Sequence, residues 1–139
     1  MFSRSAGYAV QALAYLAAQP PGKLTGAREI AAATLVPVPF LWKILGHLSR
    51  QKLLRSFKGV QGGYELARAA RKITIQEIIA VTPDSELATA CVLGLSGCND
   101  QQPCALHGAW KDVRDKMRKT LATTTLADLA QRPSKVRRK

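Results

Sequence analysis

Three thiols and an imidazole fall within one short stretch, CVLGLSGCNDQQPCALH, running from Cys91 to His107, and the chain of 139 residues has no other cysteine. The spacing is Cys91-x6-Cys98-x5-Cys104-x2-His107. Three thiolates and one imidazole make a soft donor set, suited to zinc in a closed tetrahedron or to an iron–sulfur cluster. Zinc sites usually carry ligand pairs about two to four residues apart, and the wider gaps here suit a larger group. Gly94, Gly97 and Pro103 let the backbone wrap so that several side chains converge on one point. Cys104 and His107, at the start of a helical pattern, lie on adjacent turns and can reach one site. Two other chemistries use the same residues: a thiol–disulfide switch, or three inert buried thiols. The polar NDQQP around them fits the inert alternative poorly. Neither a Cys-x-x-Cys pair nor an acid–base partner accompanies the thiols, so enzyme chemistry is not expected.

Charge points to the partner. Lys and Arg number 21 against 9 acidic residues, a formal +12 with a pI near 10.2. Such an excess suits a polyanion, and double-stranded DNA, whose neutralised phosphates release counterions, comes before an anionic membrane surface. No basic amphipathic helix with an aromatic apolar face is present, and the apolar runs fall short of the ~20 residues of a membrane span. Gln11 interrupts GYAVQALAYLAA, whose Tyr8, Leu13 and Leu16 suit a helix packed on one side rather than a signal segment. With 47% hydrophobic residues and an odd cysteine count, the chain reads as a globular cytoplasmic protein without a membrane partner.

The elements that must position these groups are mostly helical. Residues 3–19 read as a helix stopped by QPPGK. GAREIAAAT follows as a second, with Thr25 as its cap and Ile30 and Ala33 inward. PFLWKILGHLSRQK is a third, with Pro39 in its first turn and one apolar stripe at Leu41, Ile44, Leu45 and Leu48. Two helices across a tight turn suggest a helix-turn-helix. LLRSFKGVQGGYELA then reads as a hairpin, with Gly62 and Gly63 supplying positive φ. Together they make a winged helix whose wing tip carries Lys58 and Gln61. TIQEIIAV is a short helix with a capping box at Thr74 and Glu77. From about Ala105 to Thr120, Leu106, Trp110, Val113 and Met117 form a heptad-like seam that wants a partner helix, with a second copy of the chain preferred. Asp112 with Lys116 and Asp115 with Lys119 support that helix from its outer face. TLADLA is a last short helix, and QRPSKVRRK a basic tail.

The fold class expected is therefore mainly α with a small β-hairpin: a winged helix-turn-helix plus a long C-terminal dimerisation helix. Its divisions are a DNA-binding unit over 1–82, a cysteine-rich cluster loop over 83–104, the dimerisation and final helices over 105–130, and the tail over 131–139. On the third helix the stripe leaves Trp42, Lys43, Gly46, His47, Ser49 and Arg50 to solvent. Trp42 is placed against a thymine methyl or a sugar edge, with Pro39, Lys43 and His47 beside it. Arg28, Arg50 and Lys58 suit phosphates.

GYAVQAL, FKGVQGGYELA, TIQEII and the Cys91, Cys98, Cys104, His107 set together resemble the IscR/NsrR family of bacterial winged-helix iron–sulfur regulators, over about residues 1–130. The resemblance implies a homodimeric transcription regulator that grips a palindromic operator, with its cluster loop beside the dimer helix. The cysteines match the family's cluster ligands, and His107 matches the histidine completing a 2Fe–2S site in the cluster-biogenesis members. The nitric-oxide-sensing members use a carboxylate from the other subunit, and Gly7 stands at that place. Thus 2Fe–2S is favoured over 4Fe–4S, with zinc the alternative. Departures are the six-residue first gap, where the biogenesis regulators have five, and Pro37 and Pro39 in place of serines. Trp42 replaces an acidic selectivity residue and Lys58 a wing arginine, so no relative's operator sequence transfers.

Overall fold

A computed structural model describes residues 3–82 and 105–131. The order of elements is α1 (Arg4–Ala17), α2 (Ala27–Thr34), α3 (Val38–Arg50), β1 (Leu54–Phe57), β2 (Gly63–Leu66), a 3-10 turn (Ala70–Lys72), α4 (Ile75–Val81), α5 (His107–Thr123) and α6 (Leu126–Gln131). Mainly helical, with one antiparallel two-stranded sheet, it has the winged-helix class expected from the pattern. Cys91, Cys98 and Cys104 and the basic tail beyond 131 lie outside the described residues.

Helix α1 starts where the Ser3 hydroxyl accepts from the Ala6 amide at 3.1 Å. Its Ala6, Ala9, Leu13 and Leu16 recur at helical spacing and are buried, and α2, α3, α4, α6 and β2 all pack against it. Small alanines on that face let neighbours approach closely. Leu41, Leu45 and Leu48 of α3 fill the other side of the same core, with Ile44 packed at its margin. Leu126 of α6 is fully buried there too, and its amide bonds the Ile73 carbonyl at 3.0 Å. The end of the described chain is therefore folded back onto the start of α4. Among the described residues no single helix is long and apolar enough to cross a membrane.

Several local expectations change. The N-cap of α2 is Gly26, not Thr25: the Thr25 backbone exchanges hydrogen bonds with Tyr64 of β2 at 3.0 and 2.9 Å, which holds it outside the helix, and its buried hydroxyl reaches no hydrogen-bond partner among the described residues. Ala33 is exposed, and buried Thr34 takes the inward place one residue on. In the hairpin, positive φ falls on Gly59 (105°) and Gly63 (156°) rather than on Gly62. Gly62 is required by space instead, since a Cβ there would sit 2.1 Å from the Phe57 carbonyl oxygen. Half of the capping box forms: Thr74 accepts from the Glu77 amide at 3.2 Å, while the Glu77 carboxylate turns to Arg68. Asp115 pairs with Arg118 at 4.0 Å, three residues on, in place of Lys119.

The α5 seam divides. Trp110 is buried (9% exposed) and Met117 packs on the core, whereas Leu106 (46%) and Val113 (49%) face outward. At about 100° per residue all four fall within a narrow stripe. Arg114 and Leu121, on the Trp110 side, are buried and core-packed respectively, so the core boundary runs along the stripe. Four residues expected on one dimer surface thus split into an inner pair and an outer pair.

Candidate nucleic-acid interface

Helices α2 and α3 are separated by residues 35–37 and their axes bend by 117°. That is the geometry of a helix-turn-helix, in which the second helix is presented outward. The turn is built from Leu35 in the left-handed region (φ 62°), from buried Val36, and from Pro37, which leads into α3. Thr34 stabilises it by donating to the Ile30 carbonyl at 2.7 Å and accepting from the Val36 amide at 3.4 Å. Pro39 lies in the first turn of α3, where its missing N–H costs no helical bond.

Burial of Leu41, Leu45 and Leu48 turns Pro39, Lys43, Gly46 and Arg50 to the middle of the outward face, and three of these, Pro39, Lys43 and Arg50, are exposed. Arg50 lies back over Gly46, with Nη1 3.5 Å from where a Cβ would stand. Trp42 flanks this line at 57% exposure, so no neighbouring element among the described residues covers it. Phe40 flanks the other side at 51% exposure, its ring tilted at 51° to Tyr8 with centroids 6.3 Å apart. Phe40 was missed in the sequence because it adjoins Leu41 without sharing the stripe. Two expected outward groups are engaged internally. His47 is half buried and its Nε2 hydrogen-bonds the Val81 carbonyl, so it joins α3 to α4 rather than facing outward with Lys43. The Ser49 hydroxyl donates to the Leu45 carbonyl at 2.9 Å.

The wing stands beside α3 because β2 is bridged to Thr25, just before α2, and Leu54 pairs with Leu66 across the hairpin. A Cβ at Gly63 would meet the Thr25 backbone at 2.9 Å, so glycine allows this close seat. Lys58 and Gln61 are exposed at the tip, and Val60 between them is fully exposed. Arg28 of α2 is also exposed. Its neighbour Glu29 is drawn away from it, accepting from the Tyr15 hydroxyl at 3.1 Å and pairing with Lys23 at 3.2 Å. Desolvation, then the hydrogen bond and charge of Glu29, push the Tyr15 phenol above its ordinary range. Arg28, Lys43, Arg50 and Lys58 are thus exposed cations of the helix-turn-helix and wing, alongside the exposed apolar groups Leu35, Phe40, Trp42, Phe57 and Val60.

His107 opens α5 and is half buried. It follows Cys104 by three residues, while α4 and Thr82 lie directly before the segment 83–104 that carries the thiols.

The chain matches the family model described as Rrf2, iron-dependent transcriptional regulator, over residues 2–132. A candidate HTH-type transcriptional regulator of Aquifex aeolicus is 35% identical over 131 residues, covering 93% of this chain and 90% of the relative. The HTH-type transcriptional regulator IscR of Escherichia coli is 29% identical over 122 residues, 88% of this chain and 75% of that one. Among solved structures, CymR (YrzC), described as the global cysteine regulator of B. subtilis, is similar with a TM-score of 0.81 at 25% identity, over 96% of this chain and 98% of the other. T. potens IscR is similar at 0.74 and 27% identity, over 96% and 88%.

Proposed function

The chain belongs to the Rrf2 family of transcriptional regulators, and from that premise we propose that it is a dimeric operator-binding sensor whose DNA affinity follows the state of its cysteine segment. It is a DNA-binding regulator of transcription and not an enzyme, as its relatives are. The observation that carries the sensor reading is the donor set: Cys91, Cys98 and Cys104 precede His107, which opens α5. Three thiolates and an imidazole fit an iron–sulfur cluster, and the matching family ligands favour 2Fe–2S over 4Fe–4S. Gly7, in the place of the alternative carboxylate ligand, has open space around it and no side chain to offer. When bound, such a group supplies one-electron redox chemistry and sensitivity to iron or nitric oxide.

The residues of this chain provide the transmission. Val81 ends α4 immediately before the cysteine segment, and its carbonyl is held by His47 of α3. Ordering or releasing 83–104 would bias that junction and so the seat of α3, with a differential of about 1–3 kcal/mol between states. Leu106 and Val113 on the outer face of α5 would meet a second copy, and a two-fold dimer implies a palindromic operator. In this reading 1–82 binds DNA, 83–104 senses, 105–130 dimerises and 131–139 is a basic tail. An odd number of closely spaced thiols suits a reducing cytoplasm.

A thiol–disulfide version of the same sensor is supported by the likeness to CymR, described as a cysteine regulator, and zinc is the other occupant that three thiolates and an imidazole would accept. Anaerobic purification with a visible spectrum and iron, sulfide and zinc analysis separates the two. Broad visible absorbance bleached by dithionite, with iron and sulfide present, is the expected result. His107→Ala should destabilise that absorbance and leave the oligomer intact. Colourless protein with stoichiometric zinc would overturn the cluster reading.

A further inference from the structure

Helix α3 carries no Asn, Gln, Asp or Glu anywhere from Val38 to Arg50. Those four side chains are the ones that pair with adenine through its N6 and N7 or accept from cytosine N4 in the major groove. The polar groups α3 does carry are reduced further by the fold. His47 is bonded to Val81, and the Ser49 hydroxyl is bonded to Leu45. Lys43 and Arg50 remain, both exposed near the middle of the outward face, and both are donors only. Donors of that kind fit the paired acceptors O6 and N7 of guanine. The rest of the outward face is apolar. Trp42 and Phe40 are more than half exposed, on a protein of net charge +12, where uncovered aromatic surface needs an occupant. Pro39 adds a further apolar edge and withholds a backbone donor at the helix start.

We propose that α3 reads only two of the four bases, guanine through Lys43 and Arg50 and thymine through contact of its 5-methyl group with Trp42 and Phe40. The proposal rests on the operator-binding reading above and names the chemistry of its ligand. Charge complementarity commits the aromatic surface to DNA: the basic groups flanking it, Arg28 and Lys58, bring a duplex against α3. Adenine and cytosine are then specified only as the complements of thymine and guanine on the opposite strand. A further consequence is that TG steps, which deform easily, concentrate both recognised bases and lower the cost of fitting the duplex to the helix and wing.

The test is selection from a duplex library with a randomised core, followed by base analogues in the selected sequence. Thymine replaced by deoxyuridine loses only its methyl group, and guanine replaced by 7-deazaguanine loses only the N7 acceptor. Wild-type protein should bind the deoxyuridine duplex about fourfold more weakly for each contacted methyl removed. Trp42→Ala should lose the part of this discrimination that Phe40 does not carry, and the double variant Trp42→Ala/Phe40→Ala should bind both duplexes alike; both side chains are more than half exposed, so circular dichroism should report an unchanged fold. Lys43→Ala should in the same way lose sensitivity to 7-deazaguanine at the guanine it contacts, and Lys43→Ala/Arg50→Ala should lose it at every guanine. A selected sequence that binds wild-type protein equally well with thymine or deoxyuridine overturns the two-base proposal and leaves operator binding intact. Failure to enrich any sequence overturns operator binding itself.

Discussion

His47 joins α3 to α4, the helix that leads into the cysteine segment. Its Nε2 bonds the carbonyl of Val81, one of the last carbonyls of α4, which no intrahelical donor can reach. Thr82 serves two others, its hydroxyl donating to Ile78 at 2.7 Å and its amide to Ile79 at 3.1 Å. Replacing His47 by leucine keeps most of the volume and removes the polar contact. A net hydrogen bond contributes about 1 kcal/mol, and an orphaned buried carbonyl costs about 1–3 kcal/mol. Because the ring is half buried, water can partly satisfy the exposed carbonyl, so a loss of about 1–1.5 kcal/mol is expected, at the low end of that range. Urea unfolding should show a lower midpoint at unchanged slope. Hydrogen exchange should show the Thr82 amide opening faster than α1 amides do, because the last turn of α4 frays locally. In the proposed switch, loss of this link should also narrow the DNA-affinity ratio between loaded and unloaded protein by up to about fivefold, the equivalent of ~1 kcal/mol. A variant within about 0.3 kcal/mol of the parent, with Thr82 protection unchanged, would refute the reading of His47 as the link between α3 and the end of α4.

Gly62→Ala forces a Cβ to 2.1 Å from the Phe57 carbonyl, so the wing must open; DNA binding should weaken while the helical content stays, whereas Gly26→Ala, with open space around it and φ −75°, should leave binding unchanged. Comparative titrations of one duplex with both variants check this. Trp110→Ala should cost about 3–5 kcal/mol at any protein concentration, because the ring is buried within one chain. Val113→Ala should instead shift stability in a concentration-dependent way, since its outer face would be buried only by a second copy. Tyr15 is held above its ordinary phenol range by desolvation and by Glu29, so the folded state binds that proton more tightly. The stability it contributes is present below the unfolded phenol's value of about 10 and is lost as pH rises through the folded value. Unfolding curves across that alkaline window should fall less steeply in Tyr15→Phe than in the parent.

Much of the positional pattern could be read directly from residue order. Leu41, Leu45 and Leu48 recur at the helical period, Pro39 permits only a first-turn position, and Thr74 caps α4 as its type demands. These are consequences of backbone geometry and nearest neighbours, which act within a few residues. The proposed donor set of Cys91, Cys98, Cys104 and His107 rests on spacing and chemistry alone, its cysteines lying outside the described residues. What required the tertiary structure was the identity of each residue's distant partner. Thr25 has the chemistry of a cap, yet Tyr64, 39 positions away, claims its backbone. His47 looks like a surface group until Val81 arrives beside it. Periodicity placed Leu106, Trp110, Val113 and Met117 on one stripe, but only the seat of α5 against α4 decides where the core boundary cuts that stripe. A repeat specifies angles around a helix axis; the direction of the core is set by the packing of other helices, and that information is not local.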